Sequence, residues 1–137
     1  ALAESCTGGH IADLLTDVAG ASDVLTGSAV TYSAQAKARL GVDAGLIAKH
    51  GIVTEEVALD MARAAARFFG TEAAVAVTGV AGPTRGEHDP PVGTVCAAAI
   101  SSGAERVVTW TIPGDRALVK EAAAHRALHL LYRLLEA

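Results

Sequence analysis

Apolar positions recur along the chain at two spacings, and the changes between them mark its elements. Glu4 to Gly9 (ESCTGG) is small, polar and glycine-ended, and behind it Ile11, Leu14, Leu15 and Val18 repeat at helical spacing until Ala19-Gly20. Val24 to Tyr32 (VLTGSAVTY) is β-branched and aromatic enough for a strand, with Gly27 as a bulge inside it. Ser33 is placed to cap a short helix over Ala34–Leu40 that Gly41 closes, and Asp43 to cap another that ends at His50-Gly51. Thr54, followed by Glu55 and Glu56, opens a long helix to about Phe69: a capping hydroxyl and first-turn acids both favour that start. Ala73 to Thr78 (AAVAVT) is a short apolar run, as expected of a strand buried on both faces. Gly79 to Pro91 reads as a loop, Val92–Ile100 and Arg106–Ile112 as a hairpin turning at Ser101-Ser102-Gly103, and Asp115 as the cap of a last helix running to the C-terminus.

Helices and strands that alternate first and close on a hairpin predict an α/β chain, a three-layer α/β/α sandwich with a mixed sheet. At 137 residues it is expected to be one domain, residues 1–137. Hydrophobic residues make up 51% and charged ones 19%, a balance that builds a core and excludes a disordered chain. Aromatic residues are only 4%, so that core must be made of Val, Leu, Ile and Ala. A net charge of −4, with scattered Lys and Arg, argues against direct nucleic-acid binding, which needs clustered cations. Cys6 and Cys96 form neither a disulfide framework nor a zinc spacing, and free thiols point to a reducing cytoplasm. No apolar stretch reaches membrane-span length and no export leader is apparent. The chain opens at Ala1 inside a strand end, so an N-terminal piece is expected to precede it.

Three loops carry more glycine and small polar residues than turns require: ESCTGG at Glu4–Gly9, TGVAGP at Thr78–Pro83 and VGTV at Val92–Val95. Glycine admits close backbone approach, and successive N–H groups can then face an anion. Nucleophile candidates are Ser5, Cys6 and Thr7 on the first loop and Ser22 after the helix that follows it. A serine hydroxyl needs a base, and Lys37 can be one if burial lowers its pKa, with Tyr32 relaying the proton or holding the amine. Glu4, Cys6 and Lys37 form a rival amide-hydrolysing set, although a lone small cysteine beside a glycine turn is ordinarily a packed residue. His125 and His129 are spaced i, i+4 without the acid of an HExxH motif, and the remaining histidines are isolated, so no metal is expected. Arg116 stands in the first turn of the last helix, where it opposes the helix dipole and a bound phosphate would offset that cost.

Five motifs in order, AESCTGG (Ala3–Gly9), VTYS with AK (Val30–Ser33, Ala36-Lys37), TGVAGP (Thr78–Pro83), PVGTV (Pro91–Val95) and PGDR (Pro113–Arg116), resemble the CinA C-terminal domain family over nearly the whole chain. The resemblance implies a nicotinamide-nucleotide amidase. Such an enzyme hydrolyses the carboxamide of nicotinamide mononucleotide to nicotinic acid mononucleotide and ammonia in pyridine-nucleotide salvage, without metal or cofactor. It assigns Ser22 as nucleophile, Lys37 as general base and Tyr32 as orienting hydroxyl. Ser5, Thr7, Gly8, Thr78, Gly79 and Gly82 become substrate contacts, and Arg116 a phosphate ligand. It also implies that the first helix and most of the first strand of the domain precede Ala1.

The chain departs from the family pattern at Ala21, where a serine is usual, and at Ala34 and Gln35, where Asn and Glu are usual. The loop Thr84–Asp89 replaces a glycine-rich stretch, and Pro90 stands at a commonly basic position. The alternative reading is therefore a non-catalytic domain that binds a nucleotide or a partner protein in competence or DNA-damage physiology. Homo-oligomerisation through an alanine-rich surface is a further expectation; neither membrane nor nucleic acid is an expected partner.

Overall fold

A computed structural model describes residues 1–137. Five strands form one mixed sheet in the order β2-β1-β3-β4-β5: β1 (Leu2–Glu4), β2 (Ser28–Val30), β3 (Ala73–Gly79), β4 (Thr94–Ser101) and β5 (Ala104–Thr111). β1 runs parallel to β2 and β3, while β4 and β5 are antiparallel additions. The helices are α1 (His10–Thr16), α2 (Ala34–Leu40), α3 (Ala44–His50), α4 (Glu55–Phe69) and α5 (Arg116–Leu135), with a 3₁₀ turn at Ala21–Asp23.

Two cores, one on each face of the sheet, make the three layers. Val75 and Val77 of β3 point with Val95 of β4 into the core shared with α1 and α5. Ala74, Ala76 and Ala98 point the other way, against Val57, Ala58, Met61 and Ala62 of α4. Nine of the 13 residues in that second core are alanine, which lets α4 lie close on the sheet and leaves no room for a larger side chain.

The helix caps follow the sequence. Ser33, Asp43, Thr54 and Asp115 each accept a bond from a first-turn N–H, and Gly41 and Gly70 end α2 and α4 in the left-handed conformation. The strands match less well. The expected Val24–Tyr32 strand contracts to Ser28–Val30, and Val24 is exposed. Gly27 is not a bulge: a Cβ there would lie 2.2 Å from Cε1 of Phe69, so the glycine admits that ring. Val92 and Gly93 precede β4 rather than opening it, because Gly93 has a φ of 91°, outside the extended range, and a Cβ there would stand 2.3 Å from the Ile112 carbonyl oxygen. The hairpin loop is only Ser102-Gly103, both at positive φ, the two-residue turn that matches strand twist.

This topology creates one crevice. The connection from β1 to β2 passes through α1 on one face, and that from β2 to β3 passes through α4 on the other. β1 leads on to β2 on one side of it and β3 leads on to β4 on the other, so the loops after these two neighbouring strands diverge at their carboxyl ends, the place where open α/β sheets bind ligands. No helix is long and apolar enough to cross a membrane.

Candidate active site

A cleft of about 380 Å³ opens at the carboxyl ends of β1 and β3. Ser5, Tyr32, Thr78, Gly79, Gly82 and Arg116 line it, so five of the seven expected substrate contacts and the expected tyrosine meet there.

Ser5 is the first residue past β1. Its N–H donates to the Val77 carbonyl at 3.0 Å, which ties it to the end of β3. The turn that follows is organised by Glu4, a fully buried carboxylate. Glu4 accepts from the Thr7 hydroxyl at 2.7 Å and from the α1 N–H groups of Ile11 at 2.9 Å and Ala12 at 3.0 Å. The Ser28 hydroxyl adds a fourth bond at 3.3 Å. An acidic side chain at a helix start satisfies orphan donors and meets a favourable dipole, so Glu4 fixes the loop by charge-assisted bonds.

Lys37 reaches the site from α2. It lies on the helix face that turns inward, and its side chain is fully buried. The ammonium nitrogen donates to the Ser5 hydroxyl at 2.9 Å and to the Thr31 carbonyl at 2.7 Å. Thr31 is itself fixed, since its N–H donates to the Glu4 carbonyl at 2.8 Å and so extends the β1–β2 ladder. Burial pushes the Lys37 pKa down to about 8, only partly opposed by the nearby Cys6 thiol. Lys37 does not line the cleft; Ser5 stands between the open cleft and the buried amine. A serine at the cleft wall with a low-pKa amine behind its hydroxyl is the arrangement an activated serine needs.

Several expectations are corrected by this placement. Ser22 does not approach Lys37. It is exposed on the 3₁₀ turn Ala21–Asp23, beside a separate depression bordered by Thr16, Val18 and Leu25. Its turn follows α1 in the chain, whereas Ser5 leaves the end of β1 directly against the lysine. Thr7 and Gly8 face a neighbouring depression with His10 and Lys120, and the Thr7 hydroxyl is already given to Glu4. Tyr32 does not hold Lys37. Its hydroxyl accepts from Arg116 at 2.8 Å, and the other arm of the Arg116 guanidinium donates to the Gly82 carbonyl at 2.7 Å. The Thr78 hydroxyl donates inward to the Ile52 carbonyl at 3.2 Å. Gly79 is required by packing, since a Cβ would meet the Val95 side chain at 2.9 Å and Cys6 Sγ at 3.0 Å.

The cysteine rival fails on electrostatics. Cys6 is buried, and burial pushes its thiol up to about 11, so it stays protonated where a nucleophile must ionise. No cluster of three or more His, Cys, Asp or Glu is placed to hold a metal ion.

Sequence reasoning missed the Ser5–Lys37 contact, the Thr31 carbonyl and the anchoring role of Glu4. Two signals were present. Ser5 sits where a strand turns into a helix, a position that exposes a nucleophile, and Lys37 falls between Ala34 and Leu40 at the spacing of an inward helix stripe.

Known proteins resemble the chain throughout. The sequence model of the CinA C-terminal domain matches residues 1–135. A CinA-like protein of Mycobacterium sp. (strain MCS) is 51% identical over 139 residues, covering 99% of this chain and 33% of that protein. One of Mycobacterium tuberculosis (strain ATCC 25177 / H37Ra) is 46% identical over 137 residues, covering 98% and 32%. The chain thus spans about a third of the curated relatives it matches. A crystal structure of a competence-damaged protein (CinA) superfamily protein from Escherichia coli superposes with a TM-score of 0.93 at 33% identity, covering 97% of this chain and 78% of that one. A competence/damage inducible protein, CihA, from Agrobacterium tumefaciens gives 0.92 at 38% identity, covering 97% and 82%.

Proposed function

The chain belongs to the CinA C-terminal domain family, and from that premise we propose that it is an amidase that hydrolyses the carboxamide of nicotinamide mononucleotide through Ser5. The observation that carries this reading is the 2.9 Å bond between the hydroxyl of the cleft residue Ser5 and the Lys37 amine buried behind it.

The chemistry runs through those two groups. Lys37 in its neutral form takes the Ser5 proton as Oγ attacks the carboxamide carbon. The tetrahedral oxyanion needs donors, and the N–H groups of the cleft residues Ala81 and Gly82 make no backbone hydrogen bond in the chain. The Lys37 ammonium then returns the proton to the departing nitrogen, which leaves as ammonia. Water attacks the Ser5 ester with Lys37 again as base, releasing nicotinic acid mononucleotide. The Thr31 carbonyl orients the amine through both half-reactions. Tyr32 and Arg116 act at the cleft wall, where the guanidinium is a candidate phosphate contact.

A pKa of about 8 on Lys37 means that the neutral base is a minority at pH 7. Turnover should therefore rise with pH and level off above about 8. The test is ammonia release from nicotinamide mononucleotide by the intact protein and by Ser5→Ala. Release that Ser5→Ala abolishes supports the reading. Nucleotide binding with no release, unaffected by Lys37→Ala, would instead favour a non-catalytic binding domain.

A further inference from the structure

The cleft is lined by a second arginine that the proposed mechanism does not use. Arg85 lies on the exposed loop between β3 and β4, and it faces the same cleft as Arg116 and Ser5. Its loop is tied into a turn: the Gly86 N–H donates to the Asp89 carboxylate at 2.9 Å, and the Asp89 N–H donates back to the Gly86 carbonyl at 3.2 Å. Asp89 therefore spends its carboxylate on the backbone. Arg85 makes one long bond, at 3.4 Å, to the Asp89 carbonyl, leaving most of its donors free.

The chain carries a net charge of −4, yet neither arginine of the cleft is neutralised by a carboxylate. The ion pairs of the protein are His10–Asp13 and Arg63–Glu105, both elsewhere. Arg116 bonds only to neutral oxygens, those of Gly82 and Tyr32. Two guanidiniums at one cleft, each with uncommitted donors, match the planar, bidentate geometry by which arginine grips a phosphate. Asp89 also lines the cleft and weakens its field, but its carboxylate is held in the turn.

We propose that Arg85 is a specificity-determining residue that, with Arg116, clamps the phosphate monoester of the substrate, so that the protein selects phosphorylated over unphosphorylated carboxamides. This rests on the amidase reading above. It assigns to the loop Thr84–Asp89 a role in recognition, with the guanidinium on the loop closing over the dianion while Ser5 works at the other end of the substrate.

The experiment compares wild type, Arg85→Gln and Arg85→Lys on nicotinamide mononucleotide and on nicotinamide riboside, which lacks the phosphate. Arg85→Gln should raise KM for the mononucleotide about tenfold or more, the loss expected for a charged hydrogen bond. Its kcat should change less than about twofold, because the contact is made equally in ground and transition states. KM for the riboside should not move, and Arg85→Lys should fall between the other two. Equal effects on both substrates, or none, overturn the proposal. If wild type releases ammonia from neither compound, the amidase reading fails and Arg85 is judged on inorganic phosphate alone. Weaker phosphate binding by Arg85→Gln in an NMR titration then upholds the clamp, and equal or undetectable binding by both proteins overturns it.

Discussion

Ser5 and Ser22 stand on turns of similar make. Each follows a regular element, each sits among small residues, and each turn contains glycine at positive φ, Gly8 and Gly9 in one and Gly20 in the other. Their surroundings differ completely. Ser5 is buried, pinned to β3 by its own N–H and bonded to an amine 32 residues further along the chain. Ser22 is exposed on a single 3₁₀ turn. A hydroxyl becomes a nucleophile through its partner, and the partner is supplied by topology. The β1–β2 pairing sets Thr31, Thr31 sets Lys37, and Lys37 finds the serine at the end of β1 rather than the one after α1.

The sharpest way to break this comparison is to remove each hydroxyl in turn. Ser5→Ala should lower ammonia release from nicotinamide mononucleotide by about three orders of magnitude or more, since no covalent route remains. The protein should stay folded, with Lys37 retaining its bond to the Thr31 carbonyl. A Ser5→Ala protein that turns over normally ends the assignment.

Removing the base tests the other half of the pair. Lys37→Met should reduce the rate by roughly 10²–10⁴-fold, the usual worth of a positioned base. It should also change how stability depends on pH. The folded Lys37 pKa, about 8, is below the ordinary value of 10.5, so the unfolded chain binds more protons between those values. The Lys37 contribution to wild-type stability then rises from about pH 8 to about pH 10.5, by roughly 3 kcal/mol at 1.36 kcal/mol per pKa unit. Cys6 acts in the opposite sense. Its folded pKa, about 11, lies above the ordinary 9.0, so its contribution is complete below pH 9 and is lost as pH climbs through 11. The difference between wild type and Lys37→Met in chemical denaturation cancels the burial of the thiol and leaves only its charge coupling to Lys37. That difference should drift in favour of wild type by roughly 3 kcal/mol between pH 7 and pH 10.5. A pH-independent difference would mean that Lys37 is not titrating from a buried position.

The same contrast shows what could be read from the sequence. Caps at Ser33, Asp43, Thr54 and Asp115 fixed the helix starts, because a cap is a contact between residues two or three apart. The three-layer architecture followed from the order of those elements, and the cleft from the glycine-bearing motifs. What escaped was contact at long range. Nothing near Ser5 in the sequence announces Lys37, and nothing near Gly27 announces the Phe69 ring that forbids a side chain there. Motif order carried the family, and five of the seven residues expected to contact substrate line the cleft, yet Ser22, assigned by the resemblance, is not the serine that meets the lysine.

Glu4 offers a smaller lever on Ser5 alone. Glu4→Gln keeps the volume but turns an acceptor oxygen into an NH2 group that must oppose the N–H of Ile11 or of Ala12, while the Thr7 and Ser28 hydroxyls can turn to accept from it. Leaving a buried donor unsatisfied costs about 1–3 kcal/mol, measurable as a lowered denaturation midpoint. The turn bearing Ser5 should loosen with it, and turnover fall roughly tenfold, since sub-ångström placement governs such reactions. Unchanged stability together with an unchanged rate would remove Glu4 as the anchor of the turn.

Ser22→Ala is the smallest change and the one that closes the comparison. The side chain is exposed and lies beside a depression that shares no lining residue with the cleft. Stability should move by less than about 0.5 kcal/mol, as for surface substitutions generally. Ammonia release should stay within about twofold of wild type, because no bond links this turn to Lys37, Thr31 or Arg116. Measured beside Ser5→Ala under the same conditions, it separates two causes that a single mutant cannot. A loss confined to Ser5 makes the lysine contact decisive. A comparable loss at Ser22 would require the 3₁₀ turn Ala21–Asp23 to move against the cleft during turnover, and the geometry that singles out Ser5 would then describe only the resting protein.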